Sequence, residues 1–269
     1  MLLQNIEIPE TLEDALGILA DQPGAGISAG GTIAVAVLKA GAQKARTLVD
    51  LSRLPLAGIE SHGERLRIGA MTVMADLLEN DSLAFLHDAV RAMGSPTIRN
   101  MATIGGNLFV GGDLSVCLLA LQAELELAGR EGERRLPIEE FFATGLRAGE
   151  ILTALEFEMP GGTTWRHCKV MRKQTASYAV LSIAAVVPLQ GGVIAGPRVA
   201  LGAVAPTPIR ARRCEALLEG KALAPESVEA AAREALEEID PADDALASAW
   251  YRRRVLPVYL SRALLADEA

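Results

Sequence analysis

The chain has 269 residues, half of them hydrophobic, and a net charge of −8. That length exceeds one ordinary core and predicts two or three compact units. The acidic balance, with no basic run, excludes nucleic acid and anionic membranes as partners.

Residues 1–10 show no basic stretch ahead of an apolar core, so no secretory leader is expected. The longest apolar runs, 29–38 and 180–189, are too short for membrane-crossing helices, and a cytoplasmic protein with no membrane span is expected. Cys117, Cys168 and Cys214 lie far apart, and His62, His87 and His167 are equally scattered. Neither set has the close spacing of a zinc or iron–sulfur site, so buried or incidental thiols and no metal of the chain's own are expected.

In chain order, residues 11–21 carry the apolar spacing of an amphipathic helix, with Thr11 as cap and Glu13 and Asp14 in the first turn. Pro23, Gly24 and Gly26 end it, and 27–29 read as a buried strand end. Gly30-Gly31-Thr32 then leads into the apolar run 33–40, followed by short strands at 47–51 and 65–68. Together these make a small α/β unit. Beyond Met71, helices are predicted at 72–80, 82–92 and 113–121, and strands at 125–128 and 150–158. Met159-Pro160-Gly161-Gly162 is the predicted boundary, giving domains at 1–160 (parts 1–55 and 56–160) and 161–269. The remainder has branched apolar strands at 180–188 and 199–204, separated by the turn signal Gly191-Gly192. Helical spacing follows at 225–239 and 248–265, with Pro257 expected to kink or divide the last helix.

Two glycine pairs carry the chemistry: Gly30-Gly31 after a strand, and Gly105-Gly106 within 98–109. Paired glycines let backbone N–H groups converge on phosphate oxygens, and two such loops suit a pyrophosphate. The plainer alternative is two tight turns. A nicotinamide-type Rossmann site fits poorly, because Gly24, Gly26, Gly30 and Gly31 do not form GxGxxG and only Asp50 could supply the ribose acid.

SAGGT at 28–32, GSPTIRNMATIGGNL at 94–108 and LLALQAELEL at 118–127 resemble the FAD-binding subunit of the molybdenum hydroxylases. That group includes xanthine and carbon monoxide dehydrogenases. GEILTALEF at 149–157, LGAVAPTPIRARRCEALLEGK at 201–221 and SAWYRRRVLPVYLSRAL at 248–264 extend the resemblance along the chain in the family's order. The fold it implies is α+β: a two-part FAD-binding domain of the vanillyl-alcohol-oxidase-like type, followed by a small α+β flavoprotein C-terminal domain. FAD would lie between the two N-terminal parts, with its ring toward the C-terminal domain. The resemblance places its pyrophosphate on Ala29, Gly30, Gly31, Thr32, Ile33, Ala34, Val35 and Ala36. Thr103, Ile104, Gly105, Gly106 and Asn107 would hold it from the second part, through backbone N–H groups and the Thr and Asn side chains. Asp113 would take an adenosine ribose hydroxyl, and Leu152 and Lys169 would adjoin the flavin; the plainer role for Lys169 is a solvated surface amine.

The implied role is an oxidoreductase subunit that receives electrons from 2Fe-2S clusters and passes them to an external acceptor. A large molybdenum-binding subunit and a small 2Fe-2S subunit would be its partners, in a dimer of heterotrimers. Two departures stand out. Ile33 replaces the polar residue the family usually has after GGT, and the stretches after Asn107 and after Phe142 are short. They leave open a non-catalytic accessory protein of the same fold with weak flavin binding. A self-contained flavin oxidase is disfavoured by the lack of a substrate domain or a histidine near the glycine loops for covalent flavin attachment.

Overall fold

The computed structural model describes residues 3–42, 44–161, 165–173 and 178–266. The first two residues of the leader reading, Met1 and Leu2, and Gly162 of the predicted boundary lie outside them. The chain divides into two compact units whose segments interleave. The first comprises 1–81, 95–110 and 124–157, and the second 82–94, 111–123 and 158–269.

The first unit opens with β1 (Asn5–Glu7), α1 (Leu12–Asp21), β2 (Gly26–Ser28), α2 (Ala34–Lys39) and β3 (Thr47–Asp50). These strands form a parallel sheet in the order β1-β3-β2. α1 starts where the sequence placed it: the Thr11 hydroxyl accepts from the Asp14 N–H at 3.1 Å. Its apolar face supplies Ala15 and Leu19, which pack with Val49, Leu51 and Leu54. β4 (Ile59–His62) and β5 (Arg65–Gly69) follow, and α3 is confined to Met74–Leu78 rather than spanning 72–80. Thr72 is diverted from a helix because its buried hydroxyl bonds Gly58.

The next helix prediction, 82–92, is a 3₁₀ turn at Asp81–Leu86 running into α4 (His87–Arg91), the latter in the second unit. α5 (Pro96–Arg99) and α6 (Ile104–Phe109) return to the first unit. Ser95 caps α5 with Pro96 in its first turn. β6 (Glu124–Gly129), β7 (Gly132–Pro137), α8 (Ile138–Thr144) and β8 (Ile151–Glu158) complete it. Its larger sheet has the order β4-β5-β8-β6-β7. β4, β7 and α8 were not legible in the sequence: β7 (GERRLP) and β4 (IESH) are polar strands. Cross-strand ion pairs link Arg65, Arg67 and Arg135 with Glu60, Glu124, Glu126 and Glu156.

In the second unit, α7 (Asp113–Ala120) is buried from Leu114 onward, which explains its apolar sequence on every face. It packs on a sheet of β9 (Trp165–Met171), β10 (Ala179–Val186), β13 (Arg198–Gly202) and β14 (Ile209–Arg210), in the order β14-β13-β10-β9. The hairpin β11 (Leu189–Gln190) and β12 (Val193–Ile194) turns at the predicted Gly191-Gly192. α9 (Arg212–Leu218), α10 (Pro225–Glu234) and α11 (Ala249–Leu265) complete the unit. The helix predicted at 225–239 tightens to a 3₁₀ turn after Glu234. Pro257 does not divide α11, which runs unbroken through it. The proline removes one N–H, but Leu256, Leu260 and Leu264 hold the helix on the core from both sides of it.

Candidate cofactor-binding site

The two glycine pairs come together in the first unit. β2 ends at Ser28, whose carbonyl accepts from the Leu51 N–H, and the chain then turns through Ala29 and Gly30 onto the segment before α6. A Cβ on Gly30 would sit 1.7 Å from the Met101 carbonyl oxygen, so only glycine permits this approach. Gly31 has φ +71°, the left-handed conformation that turns the chain into α2. Asp50, the one acid available to a Rossmann reading, instead accepts from the Ser52 N–H.

The two loops differ in what their backbones can offer. Among the described residues the N–H groups of Gly30, Gly31, Thr32 and Ile33 donate to no internal acceptor, and all four residues are at least partly exposed. Val35 and Val37 already belong to the helical ladder, bonding Gly31 and Ile33 carbonyls. In the second loop the corresponding groups are spent. Ile104 N–H bonds Thr72 O at 2.9 Å, Gly105 N–H bonds Ala70 O at 3.0 Å, and Asn107 N–H bonds Thr103 O at 3.0 Å. Gly106 N–H bonds the Thr103 hydroxyl at 3.1 Å, and Thr103 itself is 2 % exposed. Thr103 is thus the cap of α6. Only Gly106 and Asn107 of this loop reach the surface, and Gly106 has ordinary helical φ. Leu152 on β8 lies beneath Gly105, 3.4 Å from where a Cβ would be, and is 4 % exposed.

The rim of these loops is apolar. Ile33, Val35, Met101, Phe109 and Val110 are each 38–51 % exposed. Phe109, at the end of α6, meets Phe141 edge-on with ring centroids 5.4 Å apart.

Asp113 and Lys169 belong to the second unit and form one group there. The Lys169 ammonium is 2.7 Å from the Asp113 carboxylate and donates to the Ala92 carbonyl at 2.8 Å. The Lys169 side chain is 4 % exposed and that of Asp113 15 %, so Lys169 is not a solvated surface amine. Asp113 opens α7, where a carboxylate is favoured by the helix dipole. His167, two residues back on the same face of β9, was not singled out by the sequence. Its Nε2 is buried without a hydrogen-bond partner. Burial pushes its pKa below the ordinary 6.5, against the pull of Asp113 and Asp88 and with a small push from Lys169. Strand alternation from Lys169 was the signal that could have found it.

Cys168 adjoins Lys169 on β9, and Cys117 follows Asp113 by one turn of α7. Cys117 and Cys214 are fully buried, and burial raises both pKa values, that of Cys214 to about 12. Among the described residues no cluster of three His, Cys, Asp or Glu side chains is placed to hold a metal ion.

Comparison with known proteins places these loops in a family. Residues 4–160 match the family of the FAD binding domain in molybdopterin dehydrogenase, and 166–266 the CO dehydrogenase flavoprotein C-terminal domain. The glyceraldehyde dehydrogenase medium chain of Sulfolobus acidocaldarius is 32 % identical, covering 94 % of each chain. The carbon monoxide dehydrogenase medium chain of Hydrogenophaga pseudoflava is 32 % identical, over 96 % of this chain and 94 % of that one. The solved structure of carbon monoxide dehydrogenase from H. pseudoflava superposes with a TM-score of 0.93 at 32 % identity, covering 97 % of this chain and 96 % of that one.

Proposed function

The chain belongs to the family of FAD-binding medium subunits of the molybdenum hydroxylases, and from that premise we propose that it carries electrons from 2Fe-2S clusters to an external acceptor. The carrying observation is the run of four unspent N–H groups at Gly30, Gly31, Thr32 and Ile33, held against Met101 in a loop only glycine can make. N–H donors left without an internal acceptor on a glycine loop are the chemistry a pyrophosphate needs, so these residues fit FAD. No charged side chain is required there.

In this reading Ala29 to Ile33 bind the phosphates, and Ala34, Val35 and Ala36 fix the loop's exit as the start of α2. Gly106 and Asn107 contact the cofactor from α6, while Thr103, Ile104 and Gly105 hold that helix in place through their own hydrogen bonds. Leu152 supports Gly105 from below. Asp113 accepts from a ribose hydroxyl and the Lys169 ammonium, 2.7 Å away, orients that carboxylate. When bound, the flavin supplies the redox chemistry, and these residues supply position and exclude water. The FAD-binding domain spans 1–160 and the flavoprotein C-terminal domain 161–269. The partners are a large molybdenum-binding subunit and a small 2Fe-2S subunit in a dimer of heterotrimers, which together hold the molybdenum cofactor and the 2Fe-2S clusters.

Ile33 and the spent donors of the second loop favour a second reading, an accessory protein of the same fold with weak flavin affinity. Absorbance of the purified protein and titration with FAD decide between them. Stoichiometric, noncovalent FAD released on denaturation supports the electron-transfer reading. A colourless protein that takes up no added FAD refutes it.

A further inference from the structure

α11 packs Arg252, Leu256, Leu260, Ala263 and Leu264 inward. On its outer side Trp250, Arg254, Val258 and Arg262 recur every four residues, so they stand in one line along the helix. Trp250 is 67 % exposed and Val258 48 %. The Arg254 guanidinium lies over the Trp250 ring at 5.6 Å, and that of Arg262 over the Tyr259 ring at 5.7 Å. Beside this ridge a groove of about 600 Å³ opens toward α10, lined by Val258, Ser261, Arg262 and Leu265 and by Glu229 and Arg233.

The charges on this helix are unbalanced in a chain that is otherwise acidic. α11 holds four arginines and no acidic residue, whereas the chain carries −8. Arg252 is satisfied by Asp244 and the Val180 carbonyl, and Arg253 by the Leu236 and Ile239 carbonyls. Arg233 pairs with Glu229. Arg254 and Arg262 meet no carboxylate among the described residues; each is held only against an aromatic ring. Two guanidiniums eight residues apart stand roughly 12 Å from each other along a helix. Exposed tryptophan and arginine around a central apolar spot are the residue types that anchor protein interfaces.

We propose that this ridge is a docking face for a different protein chain, whose surface presents two carboxylates about 12 Å apart flanking an apolar side chain. The apolar side chain enters the groove beside Val258 and Leu265, and the carboxylates take Arg254 and Arg262. Nucleic acid and anionic lipid are repelled by the chain as a whole. A second copy joined by a two-fold axis would set this cationic ridge against itself, and a head-to-tail copy would propagate without closing. The proposal rests on the partner subunits named above.

The test is co-expression of the chain with the molybdenum and 2Fe-2S subunits of its own genome. Native mass and salt titration of the purified complex are then compared for the wild type and Arg254→Glu/Arg262→Glu. The expected result is at least a tenfold weaker assembly that fails at lower salt, restored when the facing carboxylates on the partner are changed to lysine. Trp250→Ser weakens assembly as well, and Lys221→Glu, exposed elsewhere on the unit, does not. FAD content and far-ultraviolet circular dichroism stay unchanged, and Arg254→Gln/Arg262→Gln is used if the reversed pair does not fold. Wild-type assembly by the charge variants overturns the ridge and leaves the partner reading standing. Failure of the wild-type chain to join either subunit overturns both. Self-association of the isolated chain that the charge variants abolish overturns the proposal in favour of a second copy.

Discussion

Lys169→Met is the most informative single change, because the second unit has buried an ion pair around that position. The substitution keeps most of the side-chain volume but removes the ammonium that lies 2.7 Å from Asp113 and bonds the Ala92 carbonyl. It strands a carboxylate that is 85 % covered, since the Asp113 side chain is 15 % exposed. Removing one member of a buried pair costs about 3–5 kcal/mol. The residual exposure of Asp113 and its favourable place in the first turn of α7 argue for the lower end, about 3 kcal/mol. For a chain of this size that is a fall in melting temperature of roughly 6–12 °C. The double variant Lys169→Met/Asp113→Leu removes both charges and regains most of the loss, so a double-mutant cycle reads a coupling of about 2 kcal/mol or more. Thermal melts of the four proteins with and without FAD are the assay. If Lys169→Met melts within 2 °C (roughly 1 kcal/mol) of wild type, or the two substitutions add without coupling, the pair is not the structural unit described. Asp113→Asn, which keeps the shape but not the charge, should weaken FAD binding if its carboxylate takes a ribose hydroxyl, and unchanged affinity removes Asp113 from the site.

Gly30→Ala forces a Cβ into the Met101 carbonyl and should abolish FAD retention along with several kcal/mol of stability, whereas Gly106→Ala meets only the Thr103 hydroxyl at 3.0 Å and costs about 1 kcal/mol. Equal flavin content in the two variants, measured by absorbance after gel filtration, would show that the first loop does not shape the site. His167 has a folded pKa below its ordinary 6.5, so the folded chain binds fewer protons than the unfolded one. Its contribution is complete above 6.5 and is lost as pH falls from 6.5 through the folded value. The melting temperature of wild type should therefore drop more than that of His167→Gln between pH 7.5 and 5, and parallel curves refute the assignment.

Several features were settled by local sequence. Thr11 with Asp14 fixed the start of α1, and Gly191-Gly192 the β11–β12 turn, because capping and turn chemistry act over three or four residues. The two glycine pairs by themselves left pyrophosphate loops and plain tight turns both open, and the resemblance carried by 94–108 implied FAD. Other features depend on partners far along the chain. The Ile104 and Gly105 N–H groups of the second loop are taken by the Thr72 and Ala70 carbonyls, more than thirty residues earlier, and no local pattern records that choice. The polar strands β4 and β7 exist because arginines and glutamates match across the sheet, a pairing invisible until register is known. For Lys169 the sequence left a flavin-adjoining residue and a solvated surface amine both open; it is buried because α7 and the end of α4 bring Asp113 and the Ala92 carbonyl to it from fifty-six and seventy-seven residues away. Burial of a charge is a property of the assembled core, since only partners brought together by folding can offset the loss of water.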